Sequence, residues 1–211
     1  MFGLADGEYR QTAGLLRVGD GRADTIGWFP ADTGRTDIGE VPVPRPYLPT
    51  AEILWASSPG AVFVVSAGSA DLSAHRTGQA TPLRFTTSAV PTRVTDDDVA
   101  ETVDDALRMI SGTNDRRVVG EWFEGMPRAT VAPPIRSILV DSDGNPWVES
   151  WQRSDGRARW TIYSSDGRTL ATLSTPAGSE LLSVGPDWAL GLRRDEYGVE
   201  QVTLFRLRRT S

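Results

Sequence analysis

The sequence predicts an all-β fold: a series of antiparallel meanders of about four short strands each, interrupted by one helical insert. Three observations predict it. Short runs of alternating apolar and polar residues stand between turn signals along most of the 211 residues. Gly and Pro are frequent and scattered, as a chain with many turns requires. The triplet Ser-Asp-Gly occurs at residues 142–144, 154–156 and 165–167. Asp-Gly is the strongest short hairpin signal, because the turn needs a positive φ that Gly accepts freely.

The elements follow in order. A strand is expected at residues 2–4, then two clearer ones at 15–18 and 25–29, separated by Gly19-Asp20-Gly21. Strands at 53–56, 62–65, 71–76 and 83–86 are joined by tight connections such as Ser57-Ser58-Pro59-Gly60 and make a first full meander. A second has strands at 135–140, 147–151, 159–163 and 169–173, with one Ser-Asp-Gly in each gap. A third has three strands, at 181–184, 188–192 and 199–207. The last two meanders start roughly 45 residues apart, within the range of four-stranded propeller blades.

Between the first two meanders the period changes. Val99, Val103, Ala106, Leu107 and Ile110 recur at helical spacing, with Thr95 as N-cap, acids in the first turn and Gly112 placed to stop the run. A second helix is expected from about Asp115 to Glu124. The prediction is therefore a partial β-propeller of about three to four antiparallel blades in one domain, with a helical insert at about 95–126. Residues 1–33 are the end of one blade, 51–90 a blade, 91–133 the insert region, 134–175 a blade and 180–208 the last blade.

Composition removes several classes of function. A net charge of −6 argues against a nucleic-acid partner, which needs a basic stripe. With no Cys there is no disulfide, thiolate metal site or cysteine nucleophile. Every basic residue in the charge count is Arg, so lysine chemistry is excluded. No apolar run of about 18 residues occurs to span a membrane, and the first residues do not read as a signal peptide.

The chemical candidates are few. Asp141-Ser142-Asp143-Gly144-Asn145 with Glu149 imitates part of a calcium loop, although its Gly arrives two residues early. Asp141 and Asp143 are thus the metal candidates, and calcium or another divalent ion the one cofactor to consider. The other two triplets are followed by Arg and read as turns. His75, the sole histidine, reads as an exposed strand residue. The acids of the first helix point in different directions and read as a solvated face. Trp147, Glu149 and Trp151 alternate along one strand and so share a face, a candidate ligand-binding set. Core packing is the simpler reading of the two Trp residues. A carboxylate between them needs an Arg partner or a channel-facing position.

From about Trp122 to Leu207 the chain resembles the C-terminal part of bacterial six-bladed β-propellers of the NHL/TolB-like kind. The resemblance is carried by Met126-Pro127, by Leu139-Val140-Asp141-Ser142-Asp143-Gly144-Asn145-Pro146-Trp147-Val148, and by Arg159-Trp160 ahead of Ser165-Asp166-Gly167. It continues through Leu190-Gly191, Asp195-Glu196 and Val202-Thr203-Leu204. It implies a fragment of a longer exported or periplasmic protein, since a six-bladed ring needs roughly 240 residues. It specifies a fold and not a reaction. The functional expectation is a non-enzymatic binding scaffold for an unknown protein or small-molecule ligand, with self-association through open sheet edges. The alternative is a metal-dependent hydrolase resembling gluconolactonase-type propellers, with its ion in the central channel.

Overall fold

The computed structural model describes residues 8–19, 22–36, 44–46, 53–108, 113–125, 128–154, 157–195 and 199–208. Along the chain run β1 (Glu8–Gly19), β2 (Arg22–Thr36), β3 (Pro44–Pro46), β4 (Leu54–Ser58), β5 (Ala61–Val65), β6 (Asp71–Arg76) and β7 (Leu83–Thr86). Then come β8 (Thr92–Arg93), α1 (Asp96–Arg108), α2 (Thr113–Glu124) and β9 (Val131–Ala132). The remainder is β10 (Ile135–Val140), β11 (Pro146–Ser154), β12 (Arg157–Tyr163), β13 (Thr169–Ser174), β14 (Ser179–Val184), β15 (Trp188–Arg194) and β16 (Glu200–Arg206). The fold is all-β, in separate antiparallel sheets of two to four strands. Among the described residues no barrel closes, and the arrangement is consistent with a partial propeller-like fold.

The chain forms two compact units, Met1–Ile53 with Thr92–Pro133, and Leu54–Pro91 with Pro134–Ser211. In the first, β1 and β2 make a long hairpin to which β3 adds at one edge. The short strands expected at 15–18 and 25–29 lie inside strands of 12 and 15 residues. Two glycines in these strands give room to aromatic rings: a Cβ on Gly14 would come 2.9 Å from the Trp28 ring, and one on Gly27 3.0 Å from Phe29. The strand expected at 2–4 lies outside the described residues.

The helical insert also belongs to this unit. Thr95 Oγ1 accepts the Asp98 N–H at 3.2 Å, and Asp98 Oδ2 accepts the Thr95 N–H and O–H at 2.7 Å each. This reciprocal box satisfies donors that the first helical turn leaves open. Val99, Val103 and Phe123 pack together with Val94. Ile110 and Gly112, expected at the end of the first helix, lie outside the described residues.

The second unit holds three sheets, in strand orders β4-β5-β6-β7, β10-β11-β12-β13 and β14-β15-β16. Alternation along the strands explains how they stack. Phe63, Val65, Leu72 and Ala74 of the first sheet meet Ile135, Ile138, Val148 and Tyr163 of the second. Trp147, Ala158 and Trp160 of the second sheet meet Leu181, Val184 and Ala189 of the third. Successive residues Trp147 and Val148 therefore enter opposite cores, and the middle sheet is covered on both faces. The first strands of the sheets are neighbours, with β10 beside both β4 and β14. Polar ties reinforce the first junction: Arg76 Nη2 donates to the Ser165 carbonyl at 2.8 Å, and the Ser88 N–H donates to Tyr163 Oη at 2.7 Å.

Candidate functional site

The residues singled out by sequence fall at two places on the middle sheet. The first is the β10–β11 turn. Asp141 is buried, and Oδ1 accepts the N–H groups of Asp143 at 3.0 Å and Asn145 at 2.9 Å. Oδ2 accepts Asn145 Nδ2 at 3.2 Å and Trp147 Nε1 at 3.1 Å. A carboxylate needs such donors when it leaves water. Gly144, at φ 78°, closes the turn, and its N–H donates to the Asp141 carbonyl at 3.0 Å. Asp141 thus fastens the turn to the buried indole of Trp147, and Asp143 stands exposed beside it.

This turn borders a groove of about 490 Å³ between the second and third sheets. Trp147, Ile162, Leu173, Pro186 and Leu207 give it an apolar lining, and Asp143, Asn145 and Arg208 give it polar groups of both signs. Leu170, Ala171 and Thr172 of the outermost strand β13 also line it, and are exposed. The groove arises because the second sheet has four strands and the third has three, so β13 lacks a facing fourth strand among the described residues.

The second place lies further along β11. Glu149 is buried, and Arg136 on the neighbouring strand brings Nε to 4.0 Å from its Oε1. The same guanidinium lies over the ring of half-buried Trp151, 5.1 Å from its centre, a favourable cation–π distance. Sequence reasoning asked for an arginine here but could not name it, because a shift in the β10–β11 register between Ile135 and Ser137 decides which residue faces Glu149. Glu149 pairs across the sheet with Trp160, whose buried Nε1 has no hydrogen-bond partner among the described residues.

Trp147 and Trp151 are therefore not equivalent. Trp147 is part of the core between the second and third sheets, whereas Trp151 is held under Arg136. Trp147 and Asp141 line the groove; Glu149 and Trp151 do not. Among the described residues no three His, Asp or Glu side chains come together in a way that could hold a metal ion.

His75 was expected to be exposed and is half-buried instead, because it lies on a sheet between β5 and β7. Burial, and secondarily Arg84, lower its pKa below the usual 6.5. Its Nε2 lies 3.2 Å from Ser73 Oγ, but that hydroxyl also donates to the Val64 carbonyl at 3.2 Å. Residues i and i+2 of one strand share a face of the sheet, so this contact follows from strand geometry alone.

No protein-family model matches the chain, and no curated protein matches it either.

Proposed function

We propose that this chain is a non-enzymatic binding scaffold of the β-propeller type, akin to NHL/TolB-like propellers, and that its ligand enters the groove between the second and third sheets. The observation that carries this reading is the groove itself. It combines about 490 Å³ of space, an apolar floor and a few polar groups, the usual constitution of a ligand site. Its lining takes in four successive residues, Leu170 to Leu173, of the edge strand β13, which favours an extended peptide over a compact ligand. The peptide's backbone would pair with β13, and its side chains would reach Leu173, Ile162 and Leu207.

The test is selection of peptides from a random displayed library on the wild-type protein and on Ala171→Arg, which fills the groove. Enriched peptides should alternate apolar and polar residues and bind the wild type alone. Equal enrichment on both proteins would remove the groove from the reading. The hydrolase alternative is tested separately. With Asp141 already occupied by four donors, calcium or manganese at millimolar concentration should leave the melting temperature unchanged. A rise of several degrees that Asp143→Asn abolishes would favour the metal-dependent enzyme instead.

A further inference from the structure

A second cavity, of about 90 Å³, lies on the face of the middle sheet that looks toward the first sheet. That is several times the ~10–15 Å³ that one water needs. Val148 and Ser150 of β11 pair across the ladder with Thr161 and Arg159 of β12, so these four side chains make a square patch on one face. Tyr163 continues the row, and Ser88, after β7, closes it from the other side.

The chemistry of the lining is one-sided. It offers four hydroxyls and one guanidinium, and contains no carboxylate. Tyr163 is almost wholly buried, and its oxygen accepts the Ser88 N–H at 2.7 Å and meets Ser88 Oγ at 2.9 Å. Only one proton fits in that second contact. Whichever hydroxyl donates it, the other keeps a proton for the cavity. Thr161 is nine-tenths buried, and among the described residues its hydroxyl has no acceptor and the Arg159 guanidinium no ion-pair partner. Fixed donors beside a cation, with no acidic side chain to answer them, complement a group rich in acceptors and negative charge.

We infer that this cavity is a binding site for a small oxyanion, a carboxylate or phosphate group, held by Arg159, Thr161 and the Ser88–Tyr163 hydroxyl pair. The fold supports the assignment mechanically. Tyr163 is packed at 5.4 Å against Phe85, so the hydroxyl pair is fixed before a ligand arrives. A preorganised donor set loses little entropy on binding. The site is separate from the groove and does not depend on it.

Titration calorimetry of the whole chain with sodium phosphate and with sodium acetate tests this, with sodium chloride at matched ionic strength as control. Amide shifts of Ser88 and Thr161 report the location. One-to-one binding of either oxyanion is expected, with both amides moving and chloride inert. Arg159→Gln, at an exposed position, should weaken it about tenfold or more, as loss of charge-assisted hydrogen bonds requires. The near-isosteric Thr161→Val should weaken it severalfold with the fold intact. Preference for acetate identifies the carboxylate end of a chain or metabolite; preference for phosphate identifies a phosphoryl group. No saturable heat with either anion at about 50 mM, weaker than any useful site, overturns the proposal. So does binding that Arg159→Gln leaves unchanged.

Discussion

Asp141 carries a large single-residue consequence. Removing its carboxylate leaves four donors, two of them backbone N–H groups, without their acceptor. Asp141→Ala should therefore lower stability by about 3 kcal/mol, read from urea unfolding. Asp143→Ala, at an exposed neighbour, should stay within about 0.5 kcal/mol. Equal losses would show that the turn, and not the carboxylate, holds this corner. The spacing that suggested a calcium loop from sequence also suits a carboxylate that caps its own turn: the loop puts oxygen ligands at alternate positions 141, 143 and 145, and the Asp141 carboxylate accepts the N–H groups at 143 and 145. Residue types alone do not separate the two; the Trp147 indole on Oδ2 does. His75 supplies a second test. Its lowered pKa means that, between the folded value and about 6.5, the unfolded chain binds more protons than the folded one. Stability should fall as pH drops through about 6.5 and level off once the folded imidazole is protonated too. As the only histidine, it alone should account for that slope, and His75→Gln should flatten it in melts between pH 7.5 and 5.5.

Turns are the element most legible in the sequence. Gly144 and Gly167 of the first and third Ser-Asp-Gly triplets have φ of 78° and 93°, as a tight reversal demands. Asp155 and Gly156 of the middle triplet lie outside the described residues, although β11 and β12 flank them. What the triplets conceal is that the corners differ in surroundings. A Cβ on Gly167 would lie 2.5 Å from Phe85 Cγ, in the β7 side of the first junction. Gly178, at φ 70°, has open space around it. Gly178→Ala should cost only the backbone strain, about 1 kcal/mol. Gly167→Ala adds a collision with a packed ring, and should cost about 2–4 kcal/mol with a visible shift in the Phe85–Tyr163 packing. Matching losses in thermal unfolding would mean that the third hairpin does not rest on Phe85. Sequence periodicity placed the strands of the three stacked sheets within a residue or two, except that β11 runs three residues past its expected end. It underestimated the extent of β1 and β2, which run well beyond the expected 15–18 and 25–29 into stretches such as Pro30-Ala31-Asp32-Thr33 that lack apolar alternation.

The whole molecule poses a problem of coverage. Spacing of the meanders made the repetition of sheets legible, and alternation along each strand made their two-faced packing legible. The difference in strand number beside the groove was legible too, four against three; its lining was not, because which side chains meet there depends on how the sheets stack. The middle sheet buries both faces, but the third packs only one against it. On its other face Leu190 pairs with Leu204, and Leu192 with Val202. Val202 is 65% and Leu204 68% exposed, and Leu182 adds a third exposed apolar side chain from β14. An apolar ladder next to an edge strand is a pairing surface that soluble proteins usually blunt with charge. The Arg194–Glu200 ion pair, at 2.8 Å, stands at one end of this ladder without interrupting it. Self-association is therefore expected: sedimentation velocity should show the average mass rising with concentration across the micromolar range. Replacing Val202 and Leu204 together by Lys puts two charges into that surface and leaves the buried face of β16, with Phe205, untouched. The double variant should sediment as a monomer at every concentration, and its melting point should stay within a few degrees of the wild type. A wild-type chain that remains monomeric at about 100 µM would show that this face is tolerated in water as it stands. Association undiminished by the two lysines would move the contact to another surface, with the free edge of β13 the next to test.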